Sequence, residues 1–338
     1  MNYSSDKKII IVTVDTEPDL EWSRPELADL TCENAKSLPK FQSLCERYNI
    51  KPVYLVDHVM ASNEFAADFL HDCVRKGNCE IGAHMHPWSN PPFDTSVTNN
   101  DYKYHPFITE YPLQAFASKL DELKRAIETQ IGSSPTTFRA GRWVIDKKRI
   151  QILKQNGFSV DCSVTPYRHW EKERQAPGSD YSDFGPEPFY WDEEQKILEV
   201  PLSGARFSAR YGGRNPYELP IVKNYRVWRR ALNRILARKQ LDIKGGDWLF
   251  RYKKFDSILL GVERYISENN VSVLQSMLHS SELHLGSCFH QENDHRRYWK
   301  VLEESFSKTR EAGFTSMTLS EFRTNRSTDY TFKETVGC

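Results

Sequence analysis

Two histidines separated by one residue, His84 and His86, end a short apolar run in the stretch CEIGAHMHPWSNPP, residues 79–92. Residues i and i+2 of an extended strand project to the same side, so the two imidazoles could bind one metal ion. A nearby carboxylate would complete three protein ligands, a set that suits zinc, although cobalt, nickel or manganese could occupy such a site. The alternative is that His86 and Pro87 only begin a loop, with His86 hydrogen-bonded to the backbone.

Ionisable side chains also end four other predicted strands. They are Asp15 with Glu17, Arg139 with Arg142, Asp161 beside Ser163, and His279. In β/α proteins, the residues that carry chemistry lie at the carboxyl ends of the parallel strands. A single residue of this kind is more often a cap or a satisfied surface group, but the coincidence on five strands predicts one shared site.

The elements that would position these residues alternate between strands and helices. Apolar, β-branched runs predict strands at 8–15, 51–57, 79–86, 136–143, 158–164, 196–203, 271–283 and 314–319. Amphipathic segments predict helices at about 33–49, 63–77, 112–130, 146–156 and 294–312. This alternation indicates an α/β fold built as a closed or nearly closed (β/α) barrel, with an open doubly wound sheet as the alternative.

The 338 residues could form one large domain or two smaller ones, and we expect one domain over residues 1–338. Three segments interrupt the alternation and are predicted to be insertions, at about 87–111, 166–195 and 205–268. Segment 166–195 is polar and aromatic without a period, which predicts a long loop or lid.

The composition argues against several classes of partner. The chain carries 46 basic and 46 acidic residues, so no net field favours nucleic acid, and we expect no nucleic-acid partner. The first apolar run is broken by Asp15 before it reaches the length of a membrane span. The seven cysteines are scattered and contain no C-x-x-C pair, which is typical of a reducing cytoplasm rather than of a disulfide framework or a zinc ribbon.

The segment YRVWRRALNRILARKQ, residues 225–240, has the pattern of a basic amphipathic helix with a tryptophan. Such a helix could lie on the inner face of an anionic membrane or bind the diphosphate of a lipid-linked sugar. The alternative is that its apolar stripe packs on the barrel while the arginines are solvated.

The order of these motifs resembles that of the polysaccharide deacetylase superfamily, carbohydrate esterase family four. The stretch TVDTEPD corresponds to the first motif of that family, EIGAHMHPW to the second, FRAGRW to the third, DCSVTP to the fourth, MLHSSEL to the fifth, and GFTSMTLSEF to the usual close. The resemblance covers about 8–204 and 271–322. It implies a distorted (β/α) barrel of about seven to eight strands with two large insertions, which removes acyl groups from sugar amides or esters with a divalent metal.

The resemblance also implies roles for the matched residues. Asp15 would be the general base, kept anionic and oriented by Arg139. His279 would protonate the departing amine, and Asp161 would tune His279. For Arg139, a salt bridge that only closes the barrel rim is the alternative.

Two departures from the family pattern shift the expected metal ligands. The second motif is usually H-x-x-x-H, but Trp88 stands where the second histidine would be. The second aspartate of the first motif is Thr16 here, and Glu17 follows it. The expected ligand set is therefore Glu17, His84 and His86.

The resemblance predicts a carbohydrate N-deacylase, and the aromatic and basic residues Arg142, Trp143 and Trp88 are candidates for binding the sugar. Two alternatives stay open at this point. One is an amidohydrolase-like barrel that acts on a non-sugar amide, and the other is a catalytically degenerate barrel that only binds glycans.

Overall fold

The computed structural model describes residues 8–19, 29–98, 100–166, 168–170, 179–205, 247–248, 272–326 and 330–333. Its main sheet contains strands β1 (Ile9–Thr16), β2 (Val53–Val56), β3 (Glu80–Met85), β4 (Thr137–Ala140), β5 (Val160–Asp161), β6 (Phe189–Tyr190), β7 (Leu198–Glu199), β10 (Val273–His279) and β11 (Thr315–Ser316). A separate two-stranded sheet pairs β8 (Gly204–Ala205) with β9 (Asp247–Trp248).

The main sheet is almost entirely parallel and curls into a distorted barrel. Its strand order is β10, β1, β2, β3, β4, β5, β7 and β6, with only β6 antiparallel to its neighbour, and β11 pairs with β1. The segment that follows β7 meets β10, where Ser203 N donates to the Gln275 carbonyl at 3.0 Å and Gln275 N donates to Ser203 Oγ at 2.8 Å. The predicted α/β class and distorted (β/α) barrel are thus confirmed.

The described helices are α1 (Leu38–Arg47), α2 (His58–Ala61), α3 (Glu64–Arg75), α4 (Asp101–Tyr104), α5 (Leu113–Ile131), α6 (Lys147–Gln155), α7 (Glu292–Glu311) and α8 (Leu319–Arg326). Local sequence sets their ends. Asn63 caps α3 by accepting from Ala66 N at 3.0 Å, and Gly132 ends α5 in the left-handed conformation with φ 74°.

Alternate residues of β1 face two different cores. Ile10, Val12 and Val14 belong to the larger core, between the sheet and the helices, whereas Ile9 and Ile11 belong to a smaller core inside the sheet. Every residue of β1 is therefore buried, which is typical of a parallel strand covered on both faces.

The inner face of the sheet changes from apolar to polar along the strands. Leu319 and Phe322 of α8 complete the small core at the amino ends. Further along β1, the same alternate series continues with Thr13 and Asp15 and then with Glu17 just after the strand, all of them buried. The fold therefore collects buried polar groups at the carboxyl ends.

Several predicted boundaries are wrong. The predicted strand 314–319 contains only the two residues of β11, because Leu319 already begins α8. The fourth predicted strand ends at Ala140, and a 3-10 turn over Gly141–Trp143 follows it. Part of the predicted loop 166–195 forms β6 instead.

Most of the predicted insertion 205–268, including the whole of the predicted helix 225–240, lies outside the described residues. Contact with a membrane or a lipid-linked sugar through that helix stays a prediction. Within the described part of the chain, no helix combines the length and the apolarity needed to cross a bilayer.

Candidate active site

Glu17, His84 and His86 converge at the carboxyl ends of β1 and β3. Glu17 Oε2 lies 3.1 Å from His86 Nε2 and 3.4 Å from His84 Nε2, and the two imidazole nitrogens are 3.2 Å apart. All three side chains are buried. Among the described residues, these three form the one cluster whose ligand atoms could hold a metal ion.

The backbone fixes which nitrogen of His84 faces this cluster. His84 Nδ1 lies 3.1 Å from the Arg139 carbonyl oxygen, which can only accept a hydrogen bond. We therefore assign a proton to Nδ1. Burial lowers the pKa of His84, but the charges of Asp15 and Glu17 raise it above its ordinary value, so in the metal-free protein Nε2 also carries a proton that it donates to Glu17. Loss of that proton would make Nε2 a metal ligand. A hydrogen bond from the ring nitrogen that does not face the metal is the usual way in which a protein orients a metal-binding imidazole.

The donor set fits a divalent ion. Two nitrogens at about 2.0–2.1 Å from a tetrahedral zinc would be roughly 3.3 Å apart, close to the spacing between the three donors. Burial lowers the pKa of His86 to about 4, so its imidazole is neutral at physiological pH. Burial alone would raise the pKa of Glu17, but the charge of His279 and the hydrogen bonds from both imidazoles hold it well below its ordinary value. A charged carboxylate with a neutral imidazole is the form that binds metal.

His86 reaches this position because residue 141 has no side chain. A Cβ atom on Gly141 would lie 2.5 Å from the Met85 carbonyl oxygen and 2.6 Å from His86 Nδ1. These separations are shorter than any real contact of a Cβ atom, so the ring of His86 occupies space that glycine leaves open.

Asp15 and Arg139 form a buried ion pair beside the cluster. Arg139 Nη1 donates to Asp15 Oδ1 at 2.6 Å and to Thr13 Oγ1 at 3.0 Å, and Arg139 Nε donates to the Cys162 carbonyl at 3.0 Å. When the Gln275 amide is oriented so that both of its atoms are satisfied, its oxygen accepts from Arg139 Nη2 at 2.7 Å and its nitrogen donates to the Val200 carbonyl at 2.6 Å.

His279 faces both carboxylates from β10. Its Nε2 lies 4.0 Å from Asp15 Oδ2 and 3.9 Å from Glu17 Oε1. Burial lowers the pKa of His279, but the negative charges of Glu17, Glu282 and Asp15 outweigh this effect and raise it to about 9. In the metal-free protein His279 is therefore protonated at neutral pH, and its Nε2 proton faces both carboxylates.

Asp161 does not take the place that was expected for it. The carboxylate that hydrogen-bonds to His279 is Glu282, whose Oε1 lies 2.8 Å from His279 Nδ1. Asp161 instead accepts from Ser163 Oγ at 2.6 Å and lies opposite Glu199 in the register of β5 and β7. Burial raises the pKa of Asp161, although a hydrogen bond with Glu199 partly offsets this effect. Burial and the charge of Asp161 raise the pKa of Glu199 well above its ordinary value.

The three candidates for sugar binding lie around the cluster. Arg142 is half-buried and adopts a left-handed conformation with φ 59°, and its guanidinium lies 5.5 Å from the Tyr102 ring centroid. Trp143 also has a positive φ of 62°, and its ring lies edge-on to His279 with centroids 6.2 Å apart. Positive φ in two consecutive residues other than glycine is strain of the kind that clusters at functional sites.

Trp88 is packed against neighbouring rings, so little of its surface is open for stacking on a ligand. It is only 6% exposed, and its ring lies 5.9 Å from the His86 ring and 4.7 Å from the Tyr102 ring. Trp143 is similarly covered, since it stacks on Trp170 with centroids 5.8 Å apart and an angle of 14°.

Sequence reasoning missed Glu282 and Asp57. The spacing HSSE could have indicated Glu282. The side chain of a glutamate three residues after a helix N-cap commonly accepts a hydrogen bond from the backbone N–H of the N-cap residue. Asp57 follows β2, and the register of β1, β2 and β3 places it between Glu17 and His84. Its Oδ1 accepts from Met60 N at 2.7 Å, and burial raises its pKa to about 8.

Comparisons with known proteins bear on the fold. No family model matches the chain, and no curated protein does. A provisionally assigned polysaccharide deacetylase from Mycobacterium smegmatis aligns at 15% identity with a TM-score of 0.52, over 99% of this chain and 96% of that chain. A 4-α-glucanotransferase from Thermococcus litoralis aligns at 14% identity with a TM-score of 0.52, over 94% of this chain and 40% of that chain.

These two similar structures carry different names, so the shared fold does not decide the reaction. The reaction must be argued from the residues of the site. What the comparison shows is the architecture: the distorted (β/α) barrel of this chain is similar to the fold of both structures.

Proposed function

We propose that the chain is a metal-dependent hydrolase that removes an acyl group, such as acetyl, from the nitrogen of an N-acylated sugar or polysaccharide. The observation that carries the proposal is the convergence of three metal-ligand side chains on a buried point beside Asp15 and His279. A base, an acid and a candidate cation site within a few ångströms are the parts that amide hydrolysis requires.

Glu17, His84 and His86 would hold the cation, and zinc is the ion that we propose, with cobalt, nickel or manganese as alternatives. When bound, such an ion would polarise the acyl carbonyl and make water a nucleophile near neutral pH. The hydrogen bond from His84 to the Arg139 carbonyl would keep the ligand geometry fixed.

The chain's own residues would move two protons. Asp15, held by Arg139, would accept a proton from the attacking water as its oxygen bonds to the acyl carbon. His279 would give its Nε2 proton to the amide nitrogen as the carbon–nitrogen bond breaks. The balance is one amide and one water consumed, and one carboxylic acid and one amine formed.

Two further observations support a sugar substrate. The similar structure from Mycobacterium smegmatis is described as a polysaccharide deacetylase. Arg142, whose charge lies close enough to His86 to lower its pKa, would present a guanidinium that suits hydrogen bonding to sugar hydroxyls, with Trp143 as an apolar wall edge-on to His279.

The test begins with elemental analysis of protein purified without chelator, followed by a screen for acetate release over N-acetylated sugars. We expect one divalent ion per chain, acetate release by the wild type, and a loss of about 100-fold or more in Asp15→Asn that retains its metal. Hydrolysis of cyclic or non-sugar amides alone would favour the amidohydrolase alternative. Metal-free protein that binds glycans without hydrolysing them would overturn the proposal in favour of a binding function.

A further inference from the structure

Glu282 contacts His279 twice. His279 ends β10, and the next residues form a 3-10 turn over Ser280–Leu283. This turn brings Glu282 Oε1 within 2.8 Å of His279 Nδ1, and the same oxygen accepts from His279 N at 3.3 Å. Glu282 is 2% exposed, so water does not compete for these contacts.

The second oxygen of Glu282 is held by a different element. Tyr298 of α7 donates its hydroxyl to Glu282 Oε2 at 2.5 Å. Tyr298 is fully buried, and its ring packs on Phe289 with centroids 5.0 Å apart. Burial and the neighbouring Glu282 charge raise the pKa of Tyr298 well above its ordinary value, so the phenol stays a donor. Both carboxylate oxygens are therefore fixed from two sides.

This arrangement decides how His279 is oriented. With Nδ1 directed at Glu282, the opposite nitrogen Nε2 points between Asp15 and Glu17, at 4.0 and 3.9 Å. The Trp143 ring covers the edge of the imidazole. We propose that Glu282, itself held by Tyr298, is a positioning residue that keeps His279 aimed as the proton donor to the leaving nitrogen. The inference rests on the proposed function and assigns a role to Glu282 and Tyr298, for which the motif resemblance implied none.

The step in which Glu282 acts is the breaking of the carbon–nitrogen bond. The bond electrons go to nitrogen, and the Nε2 proton of His279 follows them, so the amine leaves neutral. The imidazole is left with its proton on Nδ1, hydrogen-bonded to the Glu282 carboxylate. An aryl ester with a good leaving group departs without this proton, so the two substrate classes depend differently on His279.

The experiment compares two acetyl substrates in metal-loaded protein, an N-acetylated sugar and an activated aryl acetate. Glu282→Gln has nearly the same volume as the wild-type side chain and can still accept from Tyr298, so it removes mainly the charge beside His279. We expect kcat for the amide to fall by about 100-fold or more, with little change in KM, while kcat for the aryl ester falls less than about threefold. In Tyr298→Phe, kcat for the amide should fall by roughly tenfold, while kcat for the aryl ester should again change little.

His279→Gln should reproduce the selective loss, and Glu282→Asp should recover part of the amide activity. Glu292→Gln, at the exposed start of the helix that carries Tyr298, is the matched control and should change neither substrate. Equal losses on both substrates in Glu282→Gln and Tyr298→Phe, or no loss on the amide, would overturn the positioning role.

A second readout works in protein without activity. In metal-free wild type, the Nδ1 proton of His279 should give a strongly downfield NMR signal that disappears in Glu282→Gln. Wild type that shows this signal but hydrolyses neither substrate would contradict the proposed function and leave the positioning geometry standing. Wild type that lacks the signal would contradict the positioning role itself.

Discussion

Arg139 and Asp15, separated by 124 positions in the sequence, form an ion pair with 2.6 Å between Nη1 and Oδ1, and both side chains are buried. Arg139 also donates to Thr13, to the Cys162 carbonyl and to Gln275, so its whole guanidinium is engaged. The contacts of Arg139 therefore link β1, β4 and β10 beside the candidate metal ligands.

Removing only one partner of this pair should be more harmful than removing both. Arg139→Met leaves the Asp15 charge buried without its hydrogen-bonded ion-pair partner, and we expect a loss of about 3–5 kcal/mol in the free energy of unfolding. Adding Asp15→Asn to that variant should restore part of the loss, because the carboxylate that has lost its ion-pair partner is then also removed. Urea unfolding of the two single variants and the double variant measures the coupling, and strictly additive losses would contradict it.

Gly141→Ala should weaken metal binding through His86. The new methyl group would overlap the Met85 carbonyl and the His86 ring, so we expect a loss of about 1–3 kcal/mol in stability and a roughly ten- to hundredfold lower metal affinity. Gly77→Ala is the control, since Gly77 has φ +69° and no other atom lies within 4 Å of the place that a Cβ would take there. It should cost stability through backbone strain alone and leave metal affinity unchanged, as titration calorimetry would show.

His279 should titrate well above an ordinary histidine in metal-free protein. The surrounding carboxylates raise its pKa to about 9 despite its burial, and NMR of labelled histidines should show that midpoint. The contribution of protonated His279 to the free energy of unfolding is then fully present below pH about 6.5, and it is lost as the pH rises through about 9. Glu282→Gln should lower the midpoint, whereas Asp161→Asn should leave it in place. A midpoint near 6.5 in the wild type would refute the electrostatic account.

Asp161→Asn should stabilise the protein increasingly as the pH rises. Burial raises the pKa of Asp161 and Glu199 above their unfolded values near 4, and the charge of Asp161 raises that of Glu199 further, so the folded state holds a proton that the unfolded state releases. The contribution of this bound proton to the free energy of unfolding of the wild type is fully present below pH about 4, and it is lost as the pH rises. An amide at position 161 can accept from Ser163 and donate to Glu199 without a shared proton.

The measurement is the free energy of unfolding of Asp161→Asn and wild type at pH 5 and pH 8. The advantage of the variant should be larger at pH 8. Asp121→Asn, on the exposed face of α5, should show equal differences at both pH values. An advantage of Asp161→Asn that does not change with pH would show that the two carboxyl groups do not share a proton.

Chelation of the bound ion should lower the thermal stability of the wild type. Ligand binding to the folded state alone adds RT ln(1 + [L]/Kd), about 2.7 kcal/mol when the ion is at 100 times its Kd. His84→Ala should abolish the shift in melting temperature on adding zinc to chelated protein. A shift that persists in His84→Ala would place the ion elsewhere.

The local sequence predicted the strands that carry the site because they are short apolar, β-branched runs, and side chains along any strand alternate between its faces with a period of two. The same period places His84 and His86 on one side of β3, and the observed distance of 3.2 Å between their nitrogens agrees with it. The Asp15 and Arg139 pair came from the motif resemblance, and its geometry agrees with that expectation.

Features that depend on distant register could not be predicted in the same way. Asp161 and Glu199 become neighbours only because β5 pairs with β7, and the sequence between them gives no period that fixes this pairing. The left-handed Arg142 likewise reflects tertiary packing rather than local preference, since arginine has no tendency toward positive φ. Glu282 carries a local capping signal, but it also falls within the predicted strand 271–283, and that assignment hides the turn.

Gln275 contributes both to closure of the barrel and to the surroundings of the proposed base. Its backbone closes the sheet against Ser203, and its side chain reaches Arg139. The seam of the barrel and the electrostatic setting of the proposed base therefore share one residue. Opening of that seam by thermal fluctuation would withdraw a hydrogen bond from the guanidinium at the same moment, so loss of closure and loss of reactivity would begin as a single event.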